Sequence, residues 1–243
     1  MTDPDQPSSP FARRGFIAAG VVVALVAIAA VVVAFTGGDD RTKAPRAEGG
    51  PATATPTRSS TSTSSSCHQP VGSQLPPVAA PQSKWELVGK LVAPSDPAGA
   101  GPGKTTDAGL RHCFSHDPTG ALFAAINWFG YTSDASQLTL ALNTLTAPGP
   151  GRDRLISQTA ADPDSVIGDG GYQVAGFSYL TYTGDVAMMN LALDVANTGQ
   201  VSLPVTLQWS GTDWQVEVPA DGQIVAGLKP LDNLTGYVPW SGA

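Results

Sequence analysis

From Phe16 to Phe35 the chain reads FIAAGVVVALVAIAAVVVAF, with no charged or strongly hydrogen-bonding side chain. As a helix rising about 1.5 Å per residue, this run is about 30 Å long, the hydrocarbon thickness of a bilayer. A soluble core helix carries a polar stripe at helical spacing, whereas this run is apolar on every side. Arg13 and Arg14 precede it, and Asp39 and Asp40 follow it. Basic residues stay on the cytoplasmic side, so residues 1–15 are expected to form a cytoplasmic tail and 16–35 a single transmembrane helix. The rival reading is a cleaved signal peptide. Arg-Arg-Gly-Phe-Ile at 13–17 is similar to a twin-arginine signal, and Ala34 stands where cleavage would occur, although the run exceeds a signal core of about 7–15 residues. In both readings the C-terminal part lies outside the cytoplasm, on the cell membrane in the first.

Residues 36–66 are Gly, Pro, Ala, Ser and Thr with scattered charges, ending in TRSSTSTSSS. Nothing there buries enough apolar surface to offset the entropy of ordering its backbone, so a disordered linker is expected. The remaining 67–243 should be an extracytoplasmic domain, with residues 67–116 irregular apart from one short strand or turn at 84–88. This domain carries seven Lys and Arg against fifteen Asp and Glu, a net charge of −8. Such a balance repels phosphate backbones and anionic lipid surfaces, so no nucleic-acid partner is expected.

Within the domain, Asp117-Pro118 is a helix start: Asp caps orphan N–H groups, and Pro loses nothing at the first turn. GALFAAINWFG follows. Ser133 or Asp134 should cap a second helix ending before APGPG, and Arg152 to Ala161 a third, so that 117–161 is helical. A β meander is then expected over 172–219. Ala187, Met189, Leu191, Leu193 and Val195 alternate with polar residues, as do Val201, Leu203, Val205, Leu207 and Trp209, and Trp214, Val216 and Val218. Pro204 cannot donate to a ladder, so its strand should be bulged or at an edge there. Residues 220–243 form a C-terminal segment. Helices followed by a meander make an α+β fold, with helices on one face of a curved antiparallel sheet.

The chemistry-bearing residues are few. Cys67-His68 opens the domain, and His112-Cys113 precedes the first helix with His116 close behind. One reading is a Cys67–Cys113 disulfide, natural in an oxidising exterior. The other is a metal site using His112, His116 and Cys113, since imidazole and thiolate are zinc ligands; the helix start after His116 and the loss of both thiols to a disulfide weigh against it. Ser115-His116-Asp117 has the letters of a hydrolase triad, but adjacent side chains do not converge, and no G-x-S-x-G elbow exists. GAGPGK at 99–104 does not match a phosphate loop. Asp162, Asp164 and Asp169 lack a terminal bidentate Glu for calcium. No catalytic residue and no cofactor is therefore expected.

The segment Arg111 to Asn127, RHCFSHDPTGALFAAIN, with Gly101-Pro102 ahead of it, VTLQWSGTDWQVEVP at 205–219 and the closing Gly236-Tyr237-Val238-Pro239-Trp240, resembles uncharacterised actinobacterial single-pass membrane proteins associated with integrative and conjugative elements. The resemblance implies a nuclear-transport-factor-2-like, or cystatin-like, domain similar to bitopic subunits of VirB- and Tcp-type conjugative secretion machines, and to Mce-associated proteins. The Asn-Pro-x-Gly motif of the VirB-type subunits is missing from this chain. The resemblance further implies a non-enzymatic membrane-anchored scaffold or assembly component of an envelope transport apparatus, with envelope protein partners and self-association. The alternative is a small-ligand-binding module with a pocket in the curved sheet, and Trp128, Met188 and Trp240 are the pocket or interface candidates. The topology has a direct readout. Protease added to intact spheroplasts is expected to degrade the 67–243 domain along with an external control, and protection of the domain would refute the single-span arrangement.

Overall fold

The computed structural model describes residue 67, residues 69–165 and residues 171–242. The expected transmembrane helix and linker, His68 and Asp169 lie outside these residues. Among the described residues no helix is long and apolar enough to cross a membrane.

The described residues form an α+β fold with three α-helices and a mainly antiparallel set of strands. Helix α1, Pro118–Gly130, begins as its sequence dictates. Asp117 is the N-cap, its Oδ1 accepting the Gly120 N–H at 2.9 Å, and Pro118 occupies the first turn. Gly120 has a steric duty as well, because any Cβ there would run into the Ser115 carbonyl. Nearly every residue of α1 is buried, which fits a helix enclosed on several sides rather than one lying on a surface. Helix α2, Ala135–Thr144, is capped by Asp134, whose Oδ1 accepts the N–H groups of Ser136 and Gln137. Helix α3 spans Pro150–Ala161 and so starts earlier than expected: the Pro in the APGPG stop signal also serves as a first-turn residue, where its missing N–H costs nothing.

The short strand expected at 84–88 is present, and the rest of 67–116, expected to be irregular, is more regular than that. Strand β1, Lys84–Val88, and β2, Leu91–Ser95, form an antiparallel hairpin around Gly89, and β3, Lys104–Thr105, pairs with β4, Arg111–His112. Five-residue strands without clean alternation carry almost no periodic signal. What holds the first hairpin is burial of Leu91 and Ala93 in the core beneath α1.

The main sheet runs in the order β10-β5-β6-β7-β8, from β5, Tyr172–Tyr182, β6, Val186–Val195, β7, Gly199–Trp209, β8, Trp214–Glu217, and β10, Val238–Pro239. The period-two pattern sets the register. Met189 faces Val205, Leu191 faces Leu203 and Leu193 faces Val201, and all six are buried on the helix-bearing side. The β5–β6 ladder shifts register between Val174 and Gly176 and between Tyr179 and Thr181, two bulges that bend the strand. Pro204 sits as its chemistry demands. Strand β8 pairs with Thr206–Trp209, and β9, Lys229–Pro230, with Val201–Ser202, so that edge of β7 has no partner opposite Pro204.

Between helices and sheet, Leu122, Phe123, Ile126, Trp128, Phe177, Met189, Leu191 and Leu203 pack into one core. Trp240, one of the three pocket or interface candidates, belongs to it. It is 6% exposed, with ring centroids 4.7 Å from Trp85, 5.5 Å from Phe123 and 5.7 Å from Phe177, and its Nε1–H donates to the Pro81 carbonyl at 3.1 Å. The C-terminal strand β10 carries it there, pairing Val238 and Pro239 with Phe177 and Gly176. Trp240→Ala is expected to cost about 3–5 kcal/mol of stability, as aromatic truncations in a core do, measured by urea unfolding of the full chain. A loss below about 1 kcal/mol would place Trp240 outside the core.

Candidate functional site

Cys113 stands in the left-handed region at φ 66°, an uncommon conformation for a residue with a Cβ. It is held on three sides. Its sulfur is bonded to Cys67, with the Cα atoms 5.0 Å apart and the two residues separated by 46 in sequence. Its carbonyl accepts the Gly103 N–H at 2.9 Å. Its own N–H donates to Asp213 Oδ2 at 2.6 Å, while Asp213 Oδ1 accepts from Phe114 at 3.0 Å and from Trp214 at 2.9 Å. Burial raises the Asp213 carboxyl above the usual carboxylate range. The three N–H donors and the nearby His112 charge pull the other way, and burial outweighs them. In the chain-entropy account a disulfide closing this loop contributes about 4 kcal/mol.

The disulfide reading of Cys67 and Cys113 is thus the one the fold adopts. The candidate metal ligands separate. His112 lies beside the disulfide, with Nδ1 3.4 Å from Cys113 Sγ. His116 is engaged elsewhere: its Nε2–H donates to the Gly184 carbonyl at 2.9 Å, and its ring stacks on Trp209 at 3.9 Å and 9°. The cluster that does converge is Cys67, His112 and Cys113, whose ligand atoms lie within 4.8 Å of one another.

Ser115, His116 and Asp117 do not converge either. Asp117 is buried, and besides capping α1 it accepts the Gly72 N–H at 2.7 Å. The Ser115 carbonyl accepts Trp214 Nε1–H at 2.9 Å, while its buried Oγ has no partner. Tyr179 donates to the Pro118 carbonyl. Burial first, and then Tyr182 and the Asp117 charge, drive its phenol well above the ordinary value. Tyr182 is pushed up to about 12 by burial, then by Asp117 and Asp185. Neither phenol is poised to transfer a proton near neutral pH.

Trp128 and Met188 line one cavity of about 170 Å³, together with Leu180, Met189, Val205 and Val216. Pro204 and Thr206 of β7 and Glu217 of β8 also line it. Trp128 is 2% exposed, and its Nε1–H is satisfied by Thr146 Oγ1 at 2.9 Å, so it contributes an apolar wall and no free donor. Ligand pockets usually span about 300–1,000 Å³, and this one is smaller. Trp240 lies apart from it, in the core.

A second concavity, of about 450 Å³, lies along β5. Its floor is Phe177–Tyr182, one wall is the extended Pro76-Pro77-Val78, and the other is Gly236–Val238. Strand β10 covers β5 only at Gly176 and Phe177, and no described strand pairs with 178–182 on that side. Leu180 is 57% exposed and Val78 92%. Sequence reasoning passed over this groove, because nothing in the β5 sequence says where its edge partner stops. Asp213 was also missed, since the groups it binds are about a hundred positions away. An Asp in the SGTDW turn is the only local hint.

The model of one protein family, described as a domain of unknown function (DUF8175), matches residues 27–239. Neither the curated proteins nor the solved structures yield a match. For Asp213 the geometry makes a measurable claim. Asp213→Ala leaves the Cys113 and Phe114 N–H groups without their acceptor, and is expected to cost about 2–4 kcal/mol in chemical unfolding at neutral pH. Because the folded pKa is raised, the wild-type contribution is fullest below the ordinary Asp value and declines as pH rises through the folded value. The gap between wild type and variant should therefore narrow with rising pH, and a widening gap would refute the assignment.

Proposed function

This chain belongs to the DUF8175 family, and we propose that its domain is a non-enzymatic, membrane-anchored assembly module that takes an extended segment of an envelope protein along the open edge of β5. The observation that carries this reading is the groove itself. An uncovered strand edge presents unpaired N–H and C=O groups, and adding a partner strand satisfies them while side-chain pockets select the sequence. The groove provides both elements: backbone at 178–182, and apolar contacts from Leu180 and Val78. Pro76 and Pro77 offer no N–H and stiffen the wall, which lowers the ordering cost of binding.

The interior supports the same reading. The concave side of the sheet is filled by Phe177, Met189 and Leu191 against Phe123 and Trp128. The buried carboxylates of Asp117 and Asp213 are spent on backbone N–H groups. Helices on a bulged antiparallel sheet also agree with a nuclear-transport-factor-2-like or cystatin-like domain, a fold that hosts binders, scaffolds and enzymes alike, so the argument rests on the groove. In this reading residues 16–35 anchor the chain in the cell membrane, 36–66 set its reach, and the partners are components of a conjugative secretion-like or related envelope transport apparatus, with self-association through the same edge. A ligand-binding role is the second reading. The cavity lined by Trp128 and Met188 favours it, on a scale suited to a small apolar group.

A photocrosslinker placed at Leu180 in cells is expected to capture an envelope transport component or a second copy of this chain, while one at the exposed control Val225 is not. Leu180→Lys should reduce capture from a crosslinker at Val78 by about tenfold or more, equivalent to about 1.4 kcal/mol, yet alter stability by no more than about 0.5 kcal/mol because Leu180 is exposed. Equal capture at Leu180 and Val225 would sink the proposal.

A further inference from the structure

We propose that Cys67, His112 and Cys113 form a redox-gated metal site, closed as a disulfide when oxidised and able to take one zinc-class divalent cation when reduced. The donor set is chemically suited: two thiolates and an imidazole are zinc ligands, and three protein ligands leave a fourth position for water. The geometry is suited as well. With Zn–S about 2.3 Å and Zn–N about 2.0–2.1 Å, tetrahedral sulfur and nitrogen ligands lie roughly 3.5 Å apart and two sulfurs about 3.8 Å apart. His112 Nδ1 is already 3.4 Å from Cys113 Sγ, and all three ligand atoms fall within 4.8 Å. The sulfurs need only separate, and with Cα atoms 5.0 Å apart a side-chain rotation can accomplish that.

What makes this a site is that its scaffold does not depend on the S–S bond. Asp213 and the Gly103 N–H hold the Cys113 backbone from both sides. The β3–β4 ladder pairs His112 with Lys104. The segment bearing Cys67 is fastened by three further hydrogen bonds: Gln69 Nε2 to the Pro97 carbonyl at 3.2 Å, Gly72 N–H to Asp117 at 2.7 Å, and Gln74 Nε2 to the His116 carbonyl at 2.9 Å. Reduction therefore leaves the three ligands in place. Cys113 is fully buried, whereas Cys67 and His112 are half-buried, so a cation enters from the side of Cys67 and His112. The chemistry balances. A phosphine reductant and one water convert the disulfide to two thiols and a phosphine oxide. The cation then displaces both thiol protons and binds neutral imidazole, so two protons are released and the site carries no net charge.

The test uses the full-length chain reduced with a water-soluble phosphine and titrated with Co²⁺, with near-UV circular dichroism recorded before metal is added. The reduced chain is expected to keep its aromatic dichroism and bind one Co²⁺ with thiolate charge-transfer absorption and the intense visible bands of tetrahedral cobalt. Zn²⁺ should displace it, and the oxidised chain should bind none. His112→Ala, which leaves both thiols intact, should weaken binding by more than the roughly 10- to 100-fold typical of losing an outer-shell partner. Cys67→Ser should remove about half of the charge-transfer intensity. The proposal is overturned if the reduced chain keeps its dichroism but binds no cobalt, if it binds only after losing that dichroism, or if His112→Ala binds as tightly as wild type.

Discussion

Asp213, the last residue of the β7–β8 turn, reaches back about a hundred positions and accepts the N–H groups of Cys113 and Phe114. That clasp joins the far end of the sheet to the segment leading into α1. Without it the left-handed Cys113 would have its N–H buried and unpaired, and the entry to α1 would lose its bearing on the sheet. The disulfide then ties the N-terminal segment to the same point, and Trp214, whose N–H Asp213 also accepts, sends its indole N–H to Ser115. One carboxylate thus coordinates strand, helix entry and cross-link.

The same economy extends to other buried side chains. Most polar side chains that sit inside are spent: Asp117 on α1 and Gly72, Asn127 on the Pro94 and Phe123 carbonyls, and Trp128 on Thr146, whose hydroxyl donates to the Ala141 carbonyl, with the Ser115 Oγ an exception. A buried polar group without a partner costs more than a paired one contributes, so this pattern is what stability alone selects. The sites with unspent capacity lie elsewhere, in the open backbone edge of β5 and in the sulfur–imidazole cluster at the mouth of the disulfide. The proposed strand docking and the proposed redox-gated metal binding rest on those two features.

The elements legible in the sequence were those governed by near neighbours. Asp117-Pro118 and Asp134 announced the starts of α1 and α2 because a cap acts within three residues. Alternation over 186–195 and 199–209 announced strands because a pleat repeats every two residues, and Pro204 announced its open edge because it has no N–H to give. Where the signal was short or shared, it failed. Lys84–Val88 was legible as a short strand or turn, but its partner β2 and the two-residue β3 and β4 were not, and Pro150 signals a stop and a start equally well.

By itself, then, the sequence determined the α+β order of elements, the acidic surface, the cysteine pair and the long apolar run ahead of the domain, all properties of composition or of spacing within a few residues. The tertiary structure decided what separation along the chain conceals: that Trp240 closes the core against Trp85, that Asp213 binds Cys113, that His112 joins the disulfide while His116 stacks on Trp209, and that β10 stops after two residues and leaves the β5 edge bare. Each of these depends on packing that brings distant segments together, and no local period or cap encodes which segments will meet.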